Sequence, residues 1–230
     1  MKVITIDGPA GSGKSTVAKL VSEQLGWIYV TTGAIYRTLA LLLHEAKVDV
    51  ELVRSHHIER FISFINERYR QESGSGKVFI GEREVTHEIQ MPLISKLASV
   101  FAQDEFIRSR LLPIQRKIVL ENNGAVVDGR DMGTVVFPDA PFKIYLTASV
   151  EERAKRRLKE LLAVGEKILL EDLIQDINER DLRDINRTTA PLKPAREATI
   201  IDSTHKTLQD IVQNILHLVG EKNDFSQTQK

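Results

Sequence analysis

The chain has 230 residues, 42% hydrophobic and 28% charged, enough for one full hydrophobic core with room for a small appendage. Thirty-two Lys plus Arg balance thirty-two Asp plus Glu, so there is no net basic field to hold a nucleic acid or an anionic membrane, and any anionic ligand has to be met locally. There is no Cys, and the six His are scattered apart from the adjacent His56 and His57, which excludes thiolate and disulfide chemistry and argues against a histidine metal site.

Residues 3–6 form a short apolar run ended by Asp7 and a glycine cluster. This reads as a buried strand, and it is too short for a secretion signal. No stretch approaches the ~18 apolar residues of a membrane span, so a monomeric cytoplasmic protein with no membrane or nucleic-acid partner is expected. A helix follows over residues 14–25, with Val17, Leu20, Val21 and Leu25 at helical spacing and Gly26 as its stop. Residues 28–30 give a second strand, and residues 34–46 a helix with Ile35, Leu39, Leu42 and Leu43 on one face. A helical pattern over 52–69 leads into the turn Ser73-Gly74-Ser75-Gly76 and a hairpin over 78–85, an insertion in the alternation. Val126-Val127, residues 143–146 and Ile200-Ile201 supply three more strands. Five strands alternating with helices predict an α/β fold, a five-stranded parallel sheet flanked by helices on both faces. Residues 150–187 hold two Arg-rich helical patterns joined near 165–168, with Ser149 and Glu152 spaced as a capping box. A single domain over 1–220 and a disordered polar tail over 221–230 complete the expectation.

Gly8-Pro9-Ala10-Gly11-Ser12-Gly13-Lys14-Ser15 fits GxxxxGK[ST] between a strand and a helix start, the P-loop context. Its backbone N–H groups and the helix N-terminus suit phosphate, Lys14 reaches the β- and γ-phosphates, and Ser15 ligates magnesium. ATP with Mg²⁺ is therefore the expected donor, and Asp128, at the end of its own strand, the carboxylate of the magnesium shell. No NKxD guanine-reading motif and no LSGGQ-like signature occur, which removes GTPase switches and ABC-type ATPases. Arg153, Arg156 and Arg157 share one helix face, and Arg180, Arg183 and Arg187 fall at i, i+3, i+7 on another. Surface ion pairing is the plain reading of such arginines; convergence on phosphates is the functional one. On these residues alone, a kinase for another small acceptor and a nucleotide-binding regulator without turnover stay open.

Residues 4–16, Thr32-Gly33-Ala34-Ile35-Tyr36-Arg37, Asp128-Gly129-Arg130-Asp131-Met132-Gly133-Thr134-Val135-Val136-Phe137-Pro138 and Glu179-Arg180-Asp181-x-Arg183-Asp184-x-x-Arg187 together resemble the bacterial cytidylate kinases. The resemblance runs to about residue 218. It implies a nucleoside monophosphate kinase-like P-loop fold, phosphorylation of CMP and dCMP by ATP, a monophosphate-binding region over about 31–118 with the hairpin-bearing insertion at about 72–100, and an Arg-rich lid over about 150–187. By the same resemblance, Gly8, Pro9, Ala10, Gly11, Ser12, Gly13, Lys14, Ser15 and Thr16 hold ATP; Thr32, Tyr36 and Arg37 line the monophosphate site; and Arg37, Arg130 and Arg180 grip its phosphate. Ser99, Arg108 and Asp131 match cytosine-reading positions, Asp184 the ribose contact and Arg187 a further substrate contact. Arg153, Arg156, Arg157 and Arg183 serve the lid. Thr31 stands where that family usually carries Asp.

Overall fold

The computed structural model describes residues 2–48, 57–72, 75–163, 165–166 and 168–227. Strand β1 (Val3–Asp7), buried at every position, runs parallel to β6 (Ala125–Gly129) on one side and β7 (Phe142–Thr147) on the other. With β2 (Ile28–Thr31) and β8 (Thr199–Asp202) they form a parallel sheet in the order β2-β6-β1-β7-β8. All five expected strands are present. The central ones read as unbroken apolar runs because helices cover both faces of the sheet, leaving no side for polar residues. Register places Ile6 opposite Asp128, Asp7 opposite Gly129, and Thr31 opposite Asp128. The glycine loop and residues 128–131 therefore leave the carboxyl edge side by side, the edge at which open α/β sheets bind ligands.

Helices α1 (Lys14–Leu25) and α8 (Leu208–Gln227) cover one face, packing Val17, Ala18, Val21, Ile211 and Ile215 on Ile4, Ile6, Ile144 and Leu146. On the opposite face Val3, Val30 and Val127 meet Met132, Val136, Phe137 and Val119. A further core joins α2 (Thr32–Glu45), α3 (His57–Arg68), α4 (Pro92–Phe101) and α5 (Glu105–Leu120) to a three-stranded antiparallel sheet of β3 (Tyr69–Gln71), β4 (Val78–Ile80) and β5 (Arg83–Glu84). Ile35, Leu39, Leu43, Ile58, Ile65, Ile107 and Leu111 are fully buried there, each contributing about 1.5–3 kcal/mol of transfer free energy. The insertion is thus welded to α2, the helix that opens the expected monophosphate region.

Helices α6 (Val150–Ala163) and α7 (Leu170–Asn186) pack on one another through a small cluster of Ala154, Leu173 and Ile177. Leu162, Leu182 and Ile185 stay exposed. Val150, Leu158, Leu161, Ile168, Leu170 and Ile174 are partly buried against that cluster, a smaller core than that of the sheet.

Four details depart from the sequence reading. The helix expected up to Tyr69 gives way to β3 at that residue; its part before residue 57, with His56, and residues 73 and 74 of the expected turn lie outside the described residues. Helix α8 continues to Gln227, past the Glu221 at which the ordered chain was expected to end; residues 228–230 lie outside the described residues. Only half of the capping box forms: the Glu152 N–H donates to Ser149 Oγ at 3.2 Å, but the Ser149 N–H donates to Thr204 Oγ1 and the Glu152 carboxylate accepts from Arg156. Arg187 caps α7 with extended backbone and so leaves the helix face it was expected to share. Among the described residues no helix is long and apolar enough to cross a membrane.

Gly124, which enters β6 at φ +135°, lies against the Trp27 ring, and a Cβ there would stand 2.8 Å from ring carbons. Its carbonyl also accepts the Ile28 N–H that starts β2. Gly124→Ala is expected to lower the unfolding free energy by about 2 kcal/mol or more, combining backbone strain with overpacking. Chemical denaturation checks this, and a loss below about 0.5 kcal/mol, within the range of neutral surface substitutions, would show that the β2–β6 junction does not depend on the contact.

Candidate active site

Residues 8–13 bridge β1 and α1. A Cβ on Gly8 would sit 2.0 Å from the Leu146 carbonyl oxygen, so only glycine lets the loop start this close to β7. Lys14 opens α1 and is buried; its ammonium folds back to donate to the Pro9 carbonyl at 2.6 Å and to Ser12 Oγ at 3.3 Å. Burial, then repulsion from Arg130, pulls its pKa well below the ordinary lysine value. The ammonium is thus held by the glycine loop itself.

Ser15 Oγ donates to Asp128 Oδ2 at 2.9 Å and the Tyr29 hydroxyl to Asp128 Oδ1 at 3.0 Å. Burial and the Asp128 charge hold the Tyr29 phenol well above its usual pKa. Thr32 Oγ1 donates to the Asp128 carbonyl at 3.0 Å, locking α2 to β6. Ser15 and Asp128 together offer the hard oxygen donors that suit magnesium. Among the described residues no cluster of three His, Cys, Asp or Glu could hold a metal, so such an ion would draw its other ligands from phosphates and water, as magnesium commonly does.

Arg37, Arg130 and Arg180 face this corner from α2, the loop after β6, and α7. Arg130 Nε donates to Asp184 Oδ2 at 2.7 Å. Burial opposes its charge, but Asp184, with Asp128 and Asp181, more than offsets that and raises its pKa. Arg180 Nε is buried without a hydrogen bond among the described residues, and burial followed by Arg130 repulsion pushes its pKa down to about 10 although Asp184 acts in the other direction. Arg37 Nε is likewise buried and unbonded, and burial lowers that guanidinium too. Asp7, Asp128, Asp181 and Asp184 act on this group electrostatically, yet Arg37 and Arg180 each keep a buried donor without an acceptor.

A second cluster lies across the same loop. Asp131 is buried between two guanidiniums, bonded to Arg108 Nη2 and, at 3.3 Å, to Arg187 Nη2. Arg108 also donates to the Ala102 carbonyl and lies 5.8 Å over the Tyr36 ring. Ser99 Oγ accepts from Arg183 at 3.4 Å. Residues 131–133 are tied to β1 because both Asp7 carboxylate oxygens accept backbone N–H groups, from Met132 at 2.8 Å and Gly133 at 2.7 Å. Burial outweighs those bonds and raises the Asp7 pKa to about 6.

The chain matches the cytidylate kinase family over residues 4–221. It belongs to that family. It is 43% identical over 219 residues to a cytidylate kinase of Thermotoga neapolitana, covering 95% of this chain and 97% of that protein. It is 44% identical over 223 residues to a cytidylate kinase of Stutzerimonas stutzeri, covering 96% of each. A solved structure of an uncharacterized protein from Eubacterium ventriosum aligns with a TM-score of 0.51 at 12% identity, covering 96% of this chain and 99% of that one, a likeness of fold alone.

The sequence-derived residues of this cytidylate kinase family member separate into three groups. The glycine loop, Lys14, Ser15, Asp128, Arg37, Arg130, Arg180 and Asp184 come together at the sheet edge, and Ser99, Tyr36, Arg108, Asp131, Arg183 and Arg187 form the adjoining cluster. Arg153 and Arg156 reach the loop but act as struts: Arg153 is buried and bonds Asp181 at 2.6 Å with the Ala10 and Ala148 carbonyls. Arg156 bonds Ser203 and Glu152. Arg157 is not brought to the site; it is half-buried and pairs with Glu160 three residues on. Asp7 and Tyr29, which bond residues 132–133 and Asp128, were not singled out from the sequence, although each is a polar group within a mostly apolar strand.

Arg180 carries a cost at every pH below about 10, since its folded-state pKa lies below the free value. Arg180→Met is therefore expected to raise the stability of the ligand-free protein by about 1 to 3 kcal/mol while lowering turnover by two or more orders of magnitude. Denaturant unfolding beside a coupled ADP-release assay checks both, and a variant both less stable and fully active would overturn the assignment.

Proposed function

We propose the following residue-level account of how the chain phosphorylates CMP and dCMP with ATP, the activity its family membership implies. The observation that carries it is the gathering of Lys14, Arg37, Arg130 and Arg180, which act on one another electrostatically, beside the P-loop, with buried donors of Arg37 and Arg180 left without acceptors. Two phosphates brought to ~4 Å repel by about 4 kcal/mol per unit charge pair at an effective dielectric near 20. Converging cations offset that repulsion and are themselves relieved by it.

In this reading the donor triphosphate lies on the loop, displacing the Lys14 ammonium from Pro9 and Ser12 toward the γ-phosphate. The acceptor phosphate lies between Arg37, Arg130 and Arg180. An oxygen of that phosphate attacks the γ-phosphorus in line, the bond to the β–γ bridging oxygen breaks, and ADP leaves with the electron pair. A phosphate monoester with second pKa ≈ 6 is already mostly dianionic at neutral pH, so no general base is required. Ser15 and Asp128 would hold magnesium, which would supply neutralisation of the negative charge on the transferring phosphate. We read α6 and α7 as a lid that closes over both nucleotides and excludes water, and the active unit as a monomer, since one chain supplies every group named.

Base choice rests on the second cluster. Cytosine presents an N4 amino donor beside N3 and O2 acceptors, suiting Asp131 and Arg108 in turn; uracil reverses the N4 and N3 positions. The buried Arg108–Asp131–Arg187 arrangement orients the carboxylate before any base arrives. Each misread edge costs about 1 to 3 kcal/mol. Asp131→Asn is accordingly expected to cut kcat/KM for CMP by about 10- to 100-fold while changing the UMP value much less. Kinetics on CMP, dCMP, UMP and AMP check this; equal losses with CMP and UMP would mean that Asp131 only shapes its loop.

A further inference from the structure

Gln71 ends strand β3 of the inserted sheet, and no motif draws attention to it. Its Oε1 accepts from the Thr31 backbone N–H at 3.2 Å and from the Tyr69 hydroxyl at 3.4 Å. A backbone N–H can only donate, so the side-chain oxygen must face Thr31, and this fixes which end of the carboxamide points the other way. That other end, Nε2, is buried and bonds nothing.

Thr31 is the N-cap of α2, whose first N–H groups have no intrahelical acceptors and whose dipole favours an anion. The Arg37 guanidinium folds back over this turn: Nη1 stands 3.1 Å from where a Gly33 Cβ would be. It acts electrostatically on the Tyr69 hydroxyl that bonds Gln71, and its own Nε is the second buried donor without an acceptor. Two orphaned donors, one of them charged, thus flank the N-terminus of a fourteen-residue helix. Buried donors are rarely left unmade unless a ligand completes them. The seat adjoins Asp128, which pairs with Thr31 in the β2–β6 register and bonds Thr32 through its carbonyl.

We propose that Gln71 is an acceptor-phosphate contact, donating Nε2–H to an oxygen of the monophosphate that Arg37 grips. This rests on the reading of Arg37 as part of the acceptor site. The insertion then contributes directly to the reacting centre: β3 delivers one amide whose oxygen fixes the α2 N-cap and whose nitrogen meets the substrate.

Two variants of the full chain test it. Gln71→Glu keeps acceptors for Thr31 and Tyr69 but replaces the free donor with an anion; the CMP KM is expected to rise by about 30-fold or more. Gln71→Met removes the amide at similar length and is expected to raise it about 3- to 10-fold. In both, the ATP KM stays within about twofold of wild type, since the donor side is untouched. Calorimetric CMP affinity without ATP falls in parallel, and Gln71→Met carries the test should the charged variant fold poorly. A CMP KM within about twofold of wild type in the folded variants, or equal rises for CMP and ATP, would overturn the proposal. Absence of CMP turnover by the wild-type protein would instead overturn the parent reading, and protection of wild type but not Gln71→Met by inorganic phosphate in thermal unfolding would still report on Gln71.

Discussion

Four cations, Lys14, Arg37, Arg130 and Arg180, are gathered at a sheet edge, and two of them, Arg37 and Arg180, keep buried donors without acceptors. Burial and mutual repulsion lower Lys14, Arg37 and Arg180, while Arg130 is kept charged by Asp184. A fold tolerates such an arrangement only when the surrounding structure imposes it. Much of the rest of the molecule can be understood as that imposition: a parallel sheet buried on both faces fixes the loop and Asp128, the welded insertion fixes α2 and Arg37, and α7 carries Arg180 and Asp184.

One short loop serves both halves of the site. Asp128 faces Ser15 and Tyr29, and Asp131, three residues on, faces Arg108 and Arg187. The two carboxylates keep separate tasks because Asp7 anchors the backbone beyond them to β1. That anchor is itself strained electrostatically. A buried carboxyl raised to about 6 stabilises the fold fully below its free value near 3.8, and the contribution is lost as pH rises through 6. Near neutral pH the protein therefore carries Asp7 as a net cost that secures the geometry of the loop.

The sheet and the donor site were legible because their signals are local. Residues 3–6 and 126–127 are continuous apolar runs, and the glycine loop needs no partner to be recognised. Helices α4 and α5 went unread: the apolar residues of α5 are interrupted by Pro113 and by inward-facing Arg108 and Gln115, so its pattern blurs. Spacing correctly put Arg153, Arg156 and Arg157 on one helix but could not say which would be buried; that depends on Asp181 and Ser203, distant in sequence. Gln71 was invisible for the same reason, since its meaning comes from an N–H forty residues earlier. The departure at Thr31 was legible, whereas the amide that bonds its backbone was not.

The most direct test is the affinity of the site for phosphates when one of its cations is removed. Buried cations with unfilled donors should hold a polyphosphate far more tightly than solvated ones would. Calorimetry of a CMP–ATP bisubstrate mimic with wild type and with folded Arg180→Met measures this directly. A loss of affinity of about 30-fold or more in the variant is the expected result. Affinity within about twofold of wild type would contradict the claim that these gathered cations organise the site.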